Sequence, residues 1–281
     1  MEWFEETLWP NWAQKIRVKE VIFHEKTAVQ DLIVFDSWSW GRVLALDGVV
    51  QVTTADEFVY HEMMIHPAVL AHGRVEEMLI IGGGDGGCLR EACRYPTIRR
   101  ITEVEIDAGV IEFCRRYLPT VSAGAYDDPR VRVVIADGAA FVRSCPDRFD
   151  VIVVDSTDPR GPGEVLFTAE FYTACRSLLK PGGIMVTQCG NPAIYPDELV
   201  FTQERQRKAG FADVTYFFAP VPTYIGANMA LGWASDEPAH RRVTVEELQR
   251  RGVPAGLKHY TPEIHLAAFA HPAWMIERVG Y

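Results

Sequence analysis

The sequence predicts an α/β protein, with a doubly wound, mostly parallel sheet preceded by a small antiparallel β-domain. Three observations support this fold class. Residues 78–107 read as a buried strand, a glycine loop, a helix and a second strand that ends in acid, which is the nucleotide-binding half of a doubly wound fold. Strand and helix patterns continue to alternate as far as residue 188, as they do in βα units. Before about residue 66, apolar and polar side chains alternate instead, which is typical of half-buried strands.

The N-terminal β-domain is predicted to span residues 1–66. Residues 16–28 and 30–35 alternate as two strands, and residues 42–53 form a hairpin around the Asp47-Gly48 turn. Residues 58–70 are typical of a helix that Pro67 breaks or kinks.

The second predicted domain spans residues 67–281. Its parallel strands are expected at 78–81, 101–105, 131–135, 151–154 and 184–188. The helices between them begin near Gly86, Ala108, Ala139 and Thr168, and a turn at residues 180–183 stops the fourth. A helix at 196–209 and an antiparallel strand pair at 214–218 and 229–234 complete the sheet, while residues 236–258 are expected on the surface.

Composition restricts the possible partners and the compartment. The chain carries 28 basic and 38 acidic residues, a net charge of −10, with no basic stripe for nucleic acid. A cationic substrate would suit this charge, although a negative charge also serves solubility alone. The six cysteines lack CxxC spacing, which favours buried thiols in a reducing compartment. The N-terminus is acidic and no apolar run approaches the ~18 residues of a membrane span, so we expect a cytoplasmic protein.

The glycine loop contains an aspartate at its centre. Gly82, Gly84 and Gly87 satisfy the GxGxxG pattern of dinucleotide sites. Asp85, however, would repel a pyrophosphate at close range. The loop is therefore predicted to bind a nucleoside that carries a positive group, such as a sulfonium or an amine.

Acidic residues follow four successive strands of the predicted parallel sheet. They are Asp85, Glu105 with Asp107, Asp137, and Asp155 with Asp158. Ligands of such sheets bind beyond the carboxyl ends of the strands, so these acids are expected to share one edge.

Each acid has a chemical interpretation and a structural alternative. Glu105 lies 20 residues beyond Asp85, where an acid bonds ribose hydroxyls; otherwise it only ends a strand. Asp137 could meet an adenine amino group or cap a helix, and the two roles are compatible. Asp155 and Asp158 could bind an amine and take its proton, although Asp158 could also serve only as a turn former.

The assembled segments resemble the spermidine synthases, the polyamine aminopropyltransferases. The matching segments span residues 15–273 and include LIIGGGDGG, DEFVYHEMM, DVIVVDSTDPRGPGEVLF, VPTYIGANMALGWAS and YTPEIHLAAFAHP. GGGDGG alone would not be specific, but its combination with DSTDPRGP and VPTY is. The match is closest to the bacterial enzymes that use putrescine.

The resemblance implies a catalytic domain like that of S-adenosylmethionine methyltransferases and a role for particular residues. Decarboxylated S-adenosylmethionine and putrescine would be the two substrates, with no prosthetic group or metal, in a homodimer or homotetramer. The implied nucleoside-binding residues are Gln30, Glu105, Asp137, Gly138 and Pro162. Asp85 would bind the aminopropyl amine, and Asp155 would accept the proton. The implied diamine channel contains Tyr60, His61, Asp158, Gln188 and Tyr224, in addition to Asp85 and Asp155. From the residues alone, His61 could equally be structural, and Tyr60 and Tyr224 are ambiguous.

Three other functions remain open at this stage. A methyltransferase and a dinucleotide oxidoreductase are both disfavoured by Asp85, which opposes a donor carboxylate and a pyrophosphate. A non-catalytic polyamine-binding protein is disfavoured by Asp155 and Asp158. Cys88 stands where an aliphatic residue or methionine is frequent in the family, which is attributed to helix packing. Arg160 stands where an apolar residue is frequent and could affect which amine is accepted. The acceptor amine could also be cadaverine, agmatine or spermidine.

Overall fold

The computed structural model describes residues 1–26, 31–157, 161–226 and 228–279. The N-terminal sheet has five antiparallel strands in sequence order: β1 (Trp3–Glu5), β2 (Lys15–Lys26), β3 (Asp31–Ser37), β4 (Arg42–Leu46) and β5 (Val49–Thr53). The predicted hairpin is confirmed, because β4 pairs with β5 across Asp47 and Gly48, both of which have positive φ. Strand β1 is too short for an alternation pattern to predict it.

Helix α1 (Glu57–His72) connects the two sheets. The predicted break at Pro67 is wrong, because the helix continues through this residue. Met63, Met64 and Ala68 are fully buried around it, and the packing of these side chains outweighs the backbone hydrogen bond that a proline removes. The predicted domain boundary at residue 66 falls inside this helix.

The second sheet has seven strands in the order β11-β12-β10-β9-β6-β7-β8. Its strands are β6 (Glu77–Gly82), β7 (Arg100–Glu105), β8 (Val131–Ile135), β9 (Phe149–Asp155), β10 (Leu179–Gln188), β11 (Asp213–Pro220) and β12 (Asn228–Ser235). The strands from β6 to β10 are parallel, and β12 pairs antiparallel with both β10 and β11. The predicted doubly wound sheet and its antiparallel end are therefore confirmed. The segment 180–183 differs from the prediction, because it lies within β10 at an irregularity of the ladder rather than in a separate turn.

Helices cover both faces of this sheet. They are α2 (Gly87–Cys93), α3 (Ala108–Tyr117), α4 (Pro119–Ser122), α5 (Gly138–Ser144), α6 (Ala169–Leu178), α7 (Pro196–Lys208), α8 (Val245–Arg250), α9 (Pro262–Ala268) and α10 (Ala273–Val279), with short 3₁₀ helices at Ala125–Asp127, Gly161–Phe167 and Pro238–Arg242. The sequence predicts residues 236–258 on the surface. The structure differs in part, because Val243 and Leu248 join the main core.

The N-terminal sheet shares a core with helix α3 of the second domain. Leu32, Leu44 and Val52 of the N-terminal sheet pack against Val110 and Phe113 of α3. This contact places the N-terminal sheet over the carboxyl ends of β6 and β7. No helix among the described residues is long and apolar enough to span a bilayer.

Candidate active site

The strand order of the large sheet reverses between β6 and β9. The register pairs Gly82, the last residue of β6, with Asp155, the last residue of β9. The Gly83 N–H donates to the Asp155 carbonyl oxygen at 2.9 Å. A Cβ on Gly82 would lie 2.1 Å from that same oxygen, so only glycine permits this close approach. The fold thus places the glycine loop beside Asp155, at the position where doubly wound sheets bind ligands.

A cavity of about 520 Å³ opens above this point. Nine of the residues implied in binding line it, namely Tyr60, His61, Asp85, Glu105, Asp137, Gly138, Asp155, Gln188 and Tyr224. Gln30, Asp158 and Arg160 lie outside the described residues. Pro162 falls in the 3₁₀ helix Gly161–Phe167, whose residues Val165 and Leu166 line the cavity. The N-terminal region contributes further lining residues that the sequence analysis does not assign to the site, among them Trp9, Leu46 and Gln51.

Glu105 and Asp137 are two of the carboxylates that line the cavity. Glu105 accepts the Asp107 N–H at 3.0 Å, and burial raises its pKa although backbone hydrogen bonds act in the opposite direction. Asp137 caps helix α5 by accepting the Ala140 N–H at 2.7 Å. The capping role predicted for Asp137 is therefore confirmed, and its place on the cavity wall leaves a second role open.

Asp155 lines the cavity and accepts a hydrogen bond from a tyrosine hydroxyl. The Tyr60 hydroxyl donates to Asp155 Oδ1 at 2.7 Å. Burial and the charge of Asp85 raise the pKa of Asp155, although the positive charge of His61 and the Tyr60 hydrogen bond oppose this shift. Tyr224 packs edge-on against Tyr60, with ring centroids 5.9 Å apart. A carboxylate with a raised pKa is a better proton acceptor than an ordinary one.

His61 lies between two carboxylates. Its Nδ1 is 2.6 Å from Glu57 Oε2, and its Nε2 is 3.3 Å from Asp85 Oδ2. Burial alone would lower the pKa of His61, but Asp85 and Glu57 raise it well above its ordinary value. Asp85 also accepts the Gly87 N–H at 2.7 Å. The imidazolium therefore fixes the position of Asp85 from one side and the glycine loop fixes it from the other.

Glu57 and Arg90 support His61 from behind. Both terminal nitrogens of Arg90 lie 2.9 Å from the Glu57 carboxylate. Burial alone would raise the pKa of Glu57, but the bonds to His61 and Arg90 lower it to about 2. These partners are not predicted from the sequence. The i, i+4 spacing of Glu57 and His61 on one helix is the only local signal for them.

The described lining residues give the cavity a negative field. Asp85, Glu105, Asp107, Asp137 and Asp155 all face it, and the described lining contains no lysine or arginine. Within the described lining, His61 is the only side chain that offers these carboxylates a positive charge. Such a cavity attracts a cationic ligand and repels a pyrophosphate.

The fold is that of the spermidine synthases, as comparison with known proteins shows. Residues 57–244 match the family model of the spermine/spermidine synthase domain, and residues 2–54 match that of the spermidine synthase tetramerisation domain. The chain therefore belongs to the spermidine synthase family and is an aminopropyltransferase.

Several relatives are similar over nearly their full lengths. A polyamine aminopropyltransferase of Pectobacterium carotovorum is 50% identical over 278 residues, which cover 98% of this chain and 96% of the relative. One of Yersinia pestis (strain Pestoides F) is 50% identical, with 98% and 93% of the two chains covered. The crystal structure of a spermidine synthase in complex with the transition state analogue AdoDATO is 34% identical. It superposes with a TM-score of 0.93 over 99% of this chain and 94% of that chain. The Thermotoga maritima spermidine synthase is 33% identical, with a TM-score of 0.90 over 99% and 93%.

Proposed function

We propose that this enzyme transfers the aminopropyl group of decarboxylated S-adenosylmethionine to putrescine, giving spermidine and methylthioadenosine. The observation that carries the proposal is the pair of carboxylates at the switch point of the sheet, Asp85 on the glycine loop and Asp155 at the end of β9. Asp85 pairs with the cationic end of the donor, and Asp155 accepts the proton of the incoming amine. The structural neighbour that contains AdoDATO supports this class of donor.

The donor is expected to lie between the glycine loop and helix α5. Glu105 would bond the ribose hydroxyls, and Asp137, Gly138 and Pro162 would enclose the adenine, with Gln30 as a further nucleoside contact. Asp85 would attract the aminopropyl ammonium and repel the carboxylate that ordinary S-adenosylmethionine carries at the corresponding position.

The reaction requires a neutral amine. The amine nitrogen attacks the methylene carbon bonded to the sulfonium, the carbon–sulfur bond breaks, and its electron pair remains on sulfur as the neutral thioether of methylthioadenosine. A primary amine has a pKa of roughly 10.4, so its proton must first move to Asp155. Tyr60, His61, Asp158, Gln188 and Tyr224 would line the channel of the acceptor diamine and orient the nitrogen.

Product analysis tests the reaction and the acceptor together. The enzyme is incubated with decarboxylated S-adenosylmethionine and, separately, putrescine, cadaverine, agmatine or spermidine, and products are identified by mass spectrometry. Spermidine formation from putrescine with the highest kcat/KM supports the proposal, and a higher kcat/KM with another amine refutes putrescine as the acceptor. Calorimetry should show tight binding of methylthioadenosine and weak binding of NAD and intact S-adenosylmethionine.

We further propose that residues 1–66 form an assembly domain, residues 67–281 form the catalytic domain, and the enzyme is a cytoplasmic homodimer or homotetramer. The match of residues 2–54 to a tetramerisation domain supports the oligomer. All six cysteines are free, as expected in a reducing compartment. Light scattering during gel filtration distinguishes two subunits from four, and a monomeric mass would contradict the proposed assembly.

A further inference from the structure

Three side chains at the reaction centre combine the donor atoms that zinc prefers. His61, Cys88 and Asp155 each offer one ligand atom, and these atoms lie within 4.8 Å of one another, a grouping found nowhere else among the described residues. In a tetrahedral zinc site, bonds of about 2.0 to 2.3 Å place ligand atoms about 3.3 to 3.7 Å apart. Side-chain movements on the order of 1 Å would therefore bring all three atoms onto one ion.

The donor set selects a class of metal. Imidazole nitrogen, thiolate sulfur and carboxylate oxygen together suit zinc and its neighbours in the first transition row. Magnesium and calcium prefer oxygen ligands alone. Cys88 supplies the sulfur, and it is fully buried on α2 with its thiol close to Asp155.

A carboxylate already orients the histidine as in known zinc sites. Glu57 contacts His61 Nδ1 at 2.6 Å, and Arg90 fixes Glu57. This contact leaves His61 Nε2 as the nitrogen that faces the cavity, where it now contacts Asp85 at 3.3 Å. A metal-bound histidine almost always donates the N–H of its other ring nitrogen to such a partner.

The charge of the site is compatible with a divalent cation. Binding would release the His61 imidazolium proton and the Cys88 thiol proton to solvent, so the two positive charges of the ion would replace the two protons and leave the net charge beside Asp85 and Asp155 unchanged. Three protein ligands leave a fourth position open toward the cavity, as in zinc sites that keep a water.

We propose that a divalent cation of the zinc class binds His61, Cys88 and Asp155 in the substrate-free enzyme. By engaging Asp155, the ion removes the proton acceptor and excludes the acceptor amine, so that the enzyme is inhibited by zinc. The inhibition rests on the proposed function, whereas the binding itself does not.

Cobalt substitution tests the binding directly. Cobalt(II) bound by a thiolate absorbs in the near ultraviolet, and this band requires no turnover. The parent and Cys93→Ala, a matched change on the same helix outside the cluster, should show the band, and it should saturate at one equivalent. Cys88→Ala should lack the band while its circular dichroism and thermal unfolding remain those of a folded protein. An absent band in the parent, or an equal band in folded Cys88→Ala, would overturn the site.

Two further experiments address a possible folding defect of Cys88→Ala and test the proposed inhibition by zinc. Glu57→Gln keeps all three proposed ligands and replaces the carboxylate that contacts both His61 and Arg90. It should weaken cobalt binding about 10- to 100-fold, and unchanged binding in the folded variant would contradict the geometry. In metal-buffered assays, Cys88→Ala should need at least about tenfold more free zinc for half inhibition than the parent or Cys93→Ala. Equal zinc sensitivity of the three proteins would refute inhibition through this site.

Discussion

Replacement of Asp155 by asparagine tests the proposed proton acceptor. Asparagine has nearly the same shape, and its Oδ1 can still accept the Tyr60 hydroxyl that lies 2.7 Å from the Asp155 carboxylate. The change therefore removes the charge and the ability to take a proton, while the hydrogen-bonded frame of the site is retained. Donor binding should remain within about threefold of the parent, because it depends on other carboxylates.

The expected loss of kcat in Asp155→Asn follows from the high pKa of the acceptor amine. Removing a proton from a group with a pKa of roughly 10.4 at pH 7 costs about 4.6 kcal/mol, at roughly 1.36 kcal/mol per unit. General base catalysis contributes about 10²- to 10⁴-fold. We expect kcat of Asp155→Asn to fall about 10³-fold at pH 7. The gap to the parent should narrow by about tenfold per pH unit as the free amine becomes more abundant.

The assay is the rate of methylthioadenosine release, measured chromatographically from pH 7 to pH 9.5. Asp127→Asn is the matched control, because this residue is exposed with 70% of its side chain accessible and the charge change is the same. The control should retain parental turnover. An Asp155→Asn rate within about threefold of the parent at pH 7, or a defect that does not shrink with pH, would refute Asp155 as the acceptor.

The stability of the same variant provides an independent check. Burial and Asp85 raise the pKa of Asp155 in the folded protein. Stability from this group is therefore greatest below its unfolded pKa and is lost as the pH rises through the folded pKa. At neutral pH the ionised carboxylate opposes folding, so Asp155→Asn should unfold at the same temperature as the parent or higher. A lower unfolding temperature would contradict the cause assigned to the shift.

Three further predictions concern the residues around the acceptor. Glu105→Gln should raise KM for the donor about tenfold with little change in kcat, since a hydrogen bond to a charged group contributes about 1.5 to 3 kcal/mol. An unchanged KM in steady-state assays would show that Glu105 does not bind the donor. Gly87→Ala would place a Cβ 2.2 Å from His61 Cε1, so it should lower both turnover and the unfolding temperature, and a variant with parental values in both would show that the helix shifts freely. Glu91→Gln removes the partner of Arg90, Arg94 and His66, and breaking such a buried pair costs about 3 to 5 kcal/mol. Burial alone would raise the pKa of Glu91, but His66 and Arg90 lower it to about 2. The stabilisation is therefore present above about pH 4.5 and is lost as the pH falls toward 2. Urea unfolding should show a larger deficit at pH 7 than at pH 3, and equal deficits would contradict the ion-pair origin.

The sequence predicts the large sheet and its acidic edge because both depend on local patterns. Each βα unit is short and strongly apolar, and parallel strands bring their carboxyl ends to one edge whatever the details of packing. Asp85, Glu105, Asp137 and Asp155 could therefore be placed together from strand ends alone.

Contacts between distant segments could not be predicted in this way. The bond between Tyr60 and Asp155 joins residues 95 positions apart, and neither residue carries a local signal for the other. Cys88 reads as an ordinary helix residue, and only the fold shows its thiol beside Asp155. Helix α1 continues through Pro67 because tertiary burial outweighs the local signal.

The central claim is that the charge of Asp85 selects the decarboxylated donor. The Asp85 side chain is only 17% exposed, so water screens it little, and two unit charges about 4 Å apart interact by about 4 kcal/mol at an effective dielectric of 20. The most direct measurement is the ratio of the dissociation constants of intact and decarboxylated S-adenosylmethionine, obtained by calorimetry for the parent and for Asp85→Asn. We predict that the parent strongly prefers the decarboxylated form and that the substitution lowers the ratio at least about tenfold, or about 1.4 kcal/mol. The same ratio in both proteins would contradict the claim.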